Sequence, residues 1–382
     1  MLISDVINAR SIALAATNDA SNLIPYLGGQ WFPTKKIAGL DLKWIKTHNG
    51  LPVTLKPSNF DAIPVLRARD GLKAEKTQMA FFRESMQIGE AEAQELDRIR
   101  EDNDPYLDAA LRAIYDDTTR LVRGAEVVPE IMIMSLLAGD SNGHPAITLS
   151  SDGVNYTYDY DPNGAFVATH FEELTGTAMW NHPSTATPIT DLNNGRKALQ
   201  QIGKTARYAL MNSKTFAYLL TNEQVRGAIL AQNLTANVYM TDEIVKQVIR
   251  NLTKLDIVIY DKMYTDYSGN QVNFYPDDRV TLLPAEALGS FFFGTTPEER
   301  TARQVADVDV TMYREGIAIA VKTEYGPPAK TSTTASMIGL PSFEGMDSIY
   351  IMNVHDASGE TGETGETGDT GDTGETGETG TT

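Results

Sequence analysis

The stretch from Leu40 to Met86 limits most what this chain can fold into. Asn49-Gly50, the strongest short hairpin signal, stands between Leu42-Lys43-Trp44-Ile45 and Val53-Thr54-Leu55. Pro52, Pro57 and Pro64 cannot donate to a ladder, which confines such strands to an edge or a projecting arm. Lys76 to Met86 reads as the returning strand. The two-legged excursion is short of apolar residues for its length, so it cannot bury a core of its own. It is expected to lie on something else.

The rest of the chain has material for a substantial core. Of 382 residues, 41% are hydrophobic and 22% charged, enough for two or three structural units. Acidic residues outnumber basic ones 51 to 32, giving −19. Proteins that grip nucleic acid along their whole length do so with clustered Lys and Arg, so that class is excluded and only a local basic strip stays open. Cysteine is absent, which removes disulfides, thiolate zinc sites, iron–sulfur clusters and cysteine nucleophiles together without fixing a compartment. Asp5 and Arg10 interrupt the apolar run that a signal peptide needs. No stretch approaches the length of a membrane-spanning helix.

The last 24 residues obey a different rule, with glycine at every third position from Gly359 to Gly380. Strict Gly-X-Y spacing is what a collagen triple helix demands. Proline is absent here, and the seven acidic residues between Glu360 and Glu378 have no basic partner among them. Three such chains would repel one another. A solvated acidic tail is expected, with a short triple helix only where a body gathers three C-termini. Taking the tail's seven charges off −19 leaves −12 on the body.

Between these extremes the chain alternates in blocks. Residues 1–35 read as an irregular arm with Pro25, Gly28, Gly29 and Pro33. Residues 89–138 read as helical: Asp104 can cap, Pro105 suits a first turn, and Leu107, Leu111, Ile114 and Tyr115 share a face that Leu121 and Val122 continue to Gly124. Val127 to Leu137 adds a second apolar stretch around Pro129. Polar strands and turns follow Gly143. Over 189–283, helices opened by Thr190, Ser213 and Thr241 alternate with the strands Tyr208–Met211 and Leu255–Tyr260, and a hairpin turns at Ser268-Gly269-Asn270. Val280–Leu283 and Phe291–Phe293 look like central strands, and Asp307–Met312 alternates cleanly. The class is α+β.

Catalytic constellations are poor. His48, His144, His170, His182 and His355 are scattered, and His170 and His182 beside Glu172 or Glu173 match no helical ligand spacing. Gly203-Lys204-Thr205 resembles the end of a phosphate loop, but Ala198 occupies the required glycine position. Glu172-Glu173 and Glu298-Glu299 are adjacent pairs, expected on solvated faces. No catalytic, cofactor-binding or metal residue is assigned, no cofactor is expected, and the chain is not expected to be an enzyme.

A projecting loop, an arm, a long helix and a compact α+β block are parts for building an assembly. The segment EYGPPAKTSTTASMIGLPSFEGMDSIYIM (324–352) resembles the major capsid proteins of tailed bacteriophages, in the lambda-like branch (capsid protein E family). DVTMYREGIAIAVKTEYGPP before it, TARYALMNSKTFAYLL and LDIVIYDKMY are similar too. The likeness spans nearly all of 1–354. It implies a Hong Kong 97-like fold: an N-terminal arm over 1–37, an extended loop over 38–88, and a peripheral domain with a spine helix over 89–188. An axial domain over 189–283 and peripheral return strands over 284–354 follow, and the tail of 355–382 lies outside the family core.

The resemblance further implies pentamers and hexamers in an icosahedral head around double-stranded DNA. The partners would be a separate scaffolding protein, a portal protein and an optional decoration protein, with no membrane. Assembly would take place in the host bacterial cytoplasm and the product would be the virion. An acidic body suits a container that touches DNA weakly and non-specifically. The alternatives are an encapsulin-like bacterial nanocompartment shell, which would enclose an enzyme, and a surface protein with a collagen-like stalk.

Overall fold

The computed structural model describes residues 8–18, 25–46, 73–101, 107–151, 153–232, 240–305, 309–324, 326 and 328–355. Its first element corrects the expectation of an irregular arm. Helix α1 (Ala9–Asn18) buries Ala9, Ile12 and Ala13, an i, i+3, i+4 face that a ten-residue helix can seat in a core. The Asn8 side chain accepts from the Ser11 amide at 2.9 Å and so starts the helix. The short α2 (Gly28–Trp31) then drives Trp31 fully into the core, where its indole N–H donates to the Pro284 carbonyl at 3.0 Å. Strand β1 (Thr34–Lys36) follows.

The excursion opens with β2 (Asp41–Lys46) and returns through β3 (Lys73–Gln78) and β4 (Ala80–Ile88). β2 and β3 pair antiparallel from Asp41 opposite Gln78 to Lys46 opposite Lys73, so the two legs run back along each other. The Asn49-Gly50 turn lies outside the described residues. Helix α3 (Glu90–Glu101) leads to α4 (Leu107–Ala138), whose 32 residues span about 48 Å. Pro129 sits inside α4 without ending it, so the two apolar stretches form one helix. Asp104 and Pro105 lie outside the described residues. Beyond the C-terminus of α4, the Arg279 guanidinium donates to the carbonyls of Asp140 and Ser141 at 2.9 and 3.1 Å, the charge that end of a helix favours.

A hairpin of β5 (Ala146–Ser151) and β6 (Val154–Asp159) precedes the short α5 (Val167–His170) and β7 (Phe171–Glu173). Then come α6 (Pro188–Gln201), β8 (Tyr208–Met211), α7 (Ser213–Thr221), α8 (Glu223–Gln232), α9 (Asp242–Thr253) and β9 (Asp256–Ile259). Thr187, not Thr190, is the residue before α6, because Pro188 takes the first turn. On α9, Val245, Val248 and Ile249 form the buried face while Leu252 is 42% exposed. The expected hairpin forms as β10 (Met263–Thr265) and β11 (Gln271–Asn273), its turn held by Asp266 accepting from Ser268 and Asn270. The described residues close with β12 (Arg279–Leu283), β13 (Ser290–Phe293), α10 (Pro297–Gln304), β14 (Asp309–Tyr313), β15 (Ile317–Glu324), β16 (Lys330–Ser342) and β17 (Tyr350–Asn353).

These strands make two principal sheets. One runs β1-β13-β16-β15-β14, with β4 also on β16. Gly339 of β16 stands opposite both Phe293 of β13 and Ala80 of β4, so those two strands flank it on opposite edges. α4 and α1 pack on this sheet around Ile319, Met337, Phe291 and Leu136. The other runs β7-β17-β12-β8-β9 and carries α6, α7, α8 and α9 around Leu192, Phe216, Val245, Leu282 and Trp180. β7 and β17 join this second sheet although they lie outside the 189–283 stretch.

Candidate assembly surfaces

Among the described residues, the excursion is buried at its root. Leu42, Met79 and Ala80 are buried in the main core, and the Met79 amide donates to the Leu40 carbonyl at 2.9 Å. Burial then fades along β4: Ala80 is buried, Phe81 and Phe82 half-buried, and Arg83 to Gln87 exposed. β4 nonetheless keeps its full ladder to β16, from Ala80 opposite Gly339 to Ile88 opposite Thr331. The limb is laddered on one edge but has an uncovered face, and Met86 on it is 39% exposed. Lys76 and Asp41 form an ion pair across β2 and β3 at 2.7 Å, with both partners at least half exposed.

A second junction ties the N-terminal segment to α4. Glu130 is 3% exposed and accepts from the amides of Leu27 and Gly28 at 2.9 to 3.1 Å and from the Tyr260 hydroxyl at 2.7 Å. Burial pushes its carboxyl above the ordinary range, against the pull of those donors and of Lys262. A Cβ at Gly28 would meet the Glu130 carboxylate at 2.6 Å and Ile133 at 2.9 Å, so only glycine lets the backbone donate this closely. One turn earlier, Glu126 accepts from the Tyr313 hydroxyl at 3.0 Å and pairs with Arg314 at 2.9 Å. The sequence held a signal for Glu130: it is the lone charge in Val127-Val128-Pro129-Glu130-Ile131-Met132, which a buried helix keeps only when it is bonded.

The residues weighed for chemistry are dispersed. His48 lies outside the described residues. His144 stands 3.9 Å from Asp161 and is half-buried. His170 is buried between the Thr169 hydroxyl at 2.7 Å and the Asp347 carbonyl at 3.2 Å, stacks on Phe166, and has its pKa lowered by burial. His182 is exposed, and His355 sits 3.4 Å from Asp278. Glu172 accepts from Tyr350 at 3.1 Å. Among the described residues no group of three His, Asp or Glu side chains is placed to hold a metal. Lys204 lines a cleft of about 350 Å³ with Lys35, Ser290, Glu344, Asp347 and Ser348, and Ala198 lies within α6. Mixed charges line that cleft.

Glu298 and Glu299 correct the expectation of a solvated pair. Glu298 pairs with Arg83 at 2.6 Å and accepts from the Ser336 hydroxyl at 2.5 Å. Glu299, 7% exposed, pairs with Lys36 at 2.6 Å and Arg303 at 2.5 Å. Adjacency in sequence aims the two at different strands rather than at water.

Solved structures with this fold include phage capsid proteins. A prophage capsid protein from E. coli CFT073 aligns with 91% of this chain and 99% of its own at 14% identity and a TM-score of 0.56. A phage-related protein from Bordetella bronchiseptica RB50 aligns over 91% and 97% at 12% identity and 0.50, and the cyanophage A-1(L) capsid over 88% and 94% at 10% and 0.50. A comparison with curated proteins finds no match. The family model described as phage major capsid protein E matches residues 11–313, so the chain belongs to the phage major capsid protein E family. It is a structural protein of the virion, and among the described residues no helix is long and apolar enough to cross a membrane.

Proposed function

We propose that this capsid protein builds an icosahedral head from pentamers and hexamers, with the 38–88 excursion lying across a neighbouring copy. The observation that carries the proposal is the burial gradient along β4, whose ladder is complete while Arg83 to Gln87 stay exposed. Such a limb gains burial only against another molecule. The arm of 1–37, the peripheral units of 89–188 and 284–354 with α4 as spine, and the axial unit of 189–283 complete the layout. A separate scaffolding protein and a portal protein assist assembly, a decoration protein is an optional addition, and the acidic body touches packaged DNA weakly. Sedimentation of the chain co-expressed with its scaffold should give large particles. Monomers and aggregate across all conditions would contradict the proposal.

The Gly-X-Y tail is proposed to face outward. Seven carboxylates per copy would meet packed phosphate inside a filled head, whereas outside they face water. At roughly 3 Å per residue such a tail reaches on the order of 70 Å. Brief protease treatment of filled particles should remove mass beyond about His355 and leave the shell intact. Protection of residues 359–382 until the shell is disrupted would put the tail inside.

A further inference from the structure

The two legs of the excursion are held at their bases by one short helix. Lys36 stands just ahead of the outgoing leg, in β1, and Arg83 stands in the returning leg, in β4. These strands lie in different parts of the sheet, β1 beside β13 and β4 beside β16. Both are reached from the first turn of α10. Glu299 takes Lys36 on one carboxylate oxygen and Arg303 on the other. Glu298 takes Arg83 on one oxygen and the Ser336 hydroxyl on the other, and Ser336 is the residue opposite Arg83 in the ladder. All four carboxylate oxygens are engaged, while the Lys36 and Arg83 side chains remain 29% and 44% exposed.

The helix is itself fixed. Thr296 accepts from the Glu299 amide at 3.2 Å, Pro297 occupies the first turn, and acidic residues there match the positive end of the helix. The link from β13 into α10 also touches the root directly. A Cβ at Gly294 would meet the Gly39 carbonyl at 2.7 Å and the Met79 side chain at 2.8 Å, so the two bases of the loop converge on this backbone. β1 and β4 are placed by their ladders to β13 and β16. The two ion pairs, made by adjacent residues of one turn, add side-chain ties from α10 to both sides of the loop's base.

We propose that Glu298 and Glu299 form a clasp that sets the direction in which the excursion leaves the body, so that it meets a second copy of this chain in one orientation. The clasp is positioning machinery, and its purpose rests on the reading that the excursion contacts a neighbour.

The test uses the full-length chain with E298Q/E299Q, which keeps hydrogen-bond acceptors, and with K36Q/R83Q, which changes the more exposed partners. Amide exchange at Met79, which donates to Leu40 at the root, should rise roughly tenfold in the unassembled chain, with exchange in the α4 core unchanged. Shells should lose uniform diameter by electron microscopy. R83K, which keeps the charge at the pair with Glu298, should leave both readouts near the parental level. Unchanged Met79 exchange, or uniform shells from either double variant, would overturn the clasp. Shell defects in R83K as large as those of K36Q/R83Q would overturn it too. If shells instead survive removal of residues 47–72, the neighbour reading fails while the exchange effect at Met79 still reports the clasp, so the two failures are distinguishable.

Discussion

The two sheets are finished in different ways. The sheet of β8, β9, β12 and β17 is covered by α6 to α9, and its core of Trp180, Leu192, Leu282 and Val245 is closed within one stretch of packing. The sheet of β13 to β16 is equally well packed where α4 and α1 lie on it, but it also roots β4, which runs out of the core into exposure within four residues. The first unit completes itself. The second leaves a limb that is laddered to β16 on one edge and whose side chains are not covered, as the proposed contact with another subunit requires.

Changes in the self-contained unit should therefore lower the stability of the free subunit itself. Trp180→Ala should cost about 3–5 kcal/mol in urea unfolding, since the side chain is fully buried and its indole N–H donates to Asp191 at 2.9 Å. A loss under about 1 kcal/mol would mean that the unit is not closed as described.

Asp191 gives the same core a pH signature. Burial raises its pKa to about 6, opposed by the bond from Trp180. A carboxyl raised in the folded state stabilises fully below its unfolded value and loses that contribution as pH rises through about 6. Relative to Asp191→Asn, the parent should thus be more stable at pH 4 than at pH 7, by at most about 3 kcal/mol. A pH-independent difference between the two would remove this group from the account.

At the junction between the arm and α4, Glu130→Ala should cost about 1–3 kcal/mol because it strands the Leu27 and Gly28 amides and the Tyr260 hydroxyl. Glu130→Gln, which keeps an acceptor, should recover much of the loss. On the limb itself, Asp41→Asn should change subunit stability by less than about 1 kcal/mol, since the pair with Lys76 is exposed on both sides.

Much of the architecture was legible because it rests on short-range pattern. β8, the hairpin at Ser268-Gly269-Asn270 and the stripe of α9 follow from local alternation, helical spacing and turn chemistry. What stayed hidden depends on partners far along the chain. Nothing local shows that Ala9, Ile12 and Ala13 seat a helix on α4 and β14, because three small apolar residues make a face only against a surface that exists after folding. Glu298 and Glu299 read as solvated because the strand cations they reach, Arg83 and Lys36, lie more than two hundred residues away. Leu42 stands in an excursion too poor in apolar residues to bury a core of its own, yet it is buried at the root against the main core.

The most direct measurement compares thermal unfolding of the parent with that of a chain in which residues 47–72 are replaced by a short turn, each as free subunit and as assembled shell. The excursion is taken to gain its burial from a neighbour, so the free subunits should unfold at the same temperature while the shortened chain builds fewer shells, or shells that melt well below the parent's. Shortened chains that build shells of parental number and parental melting temperature would contradict that account.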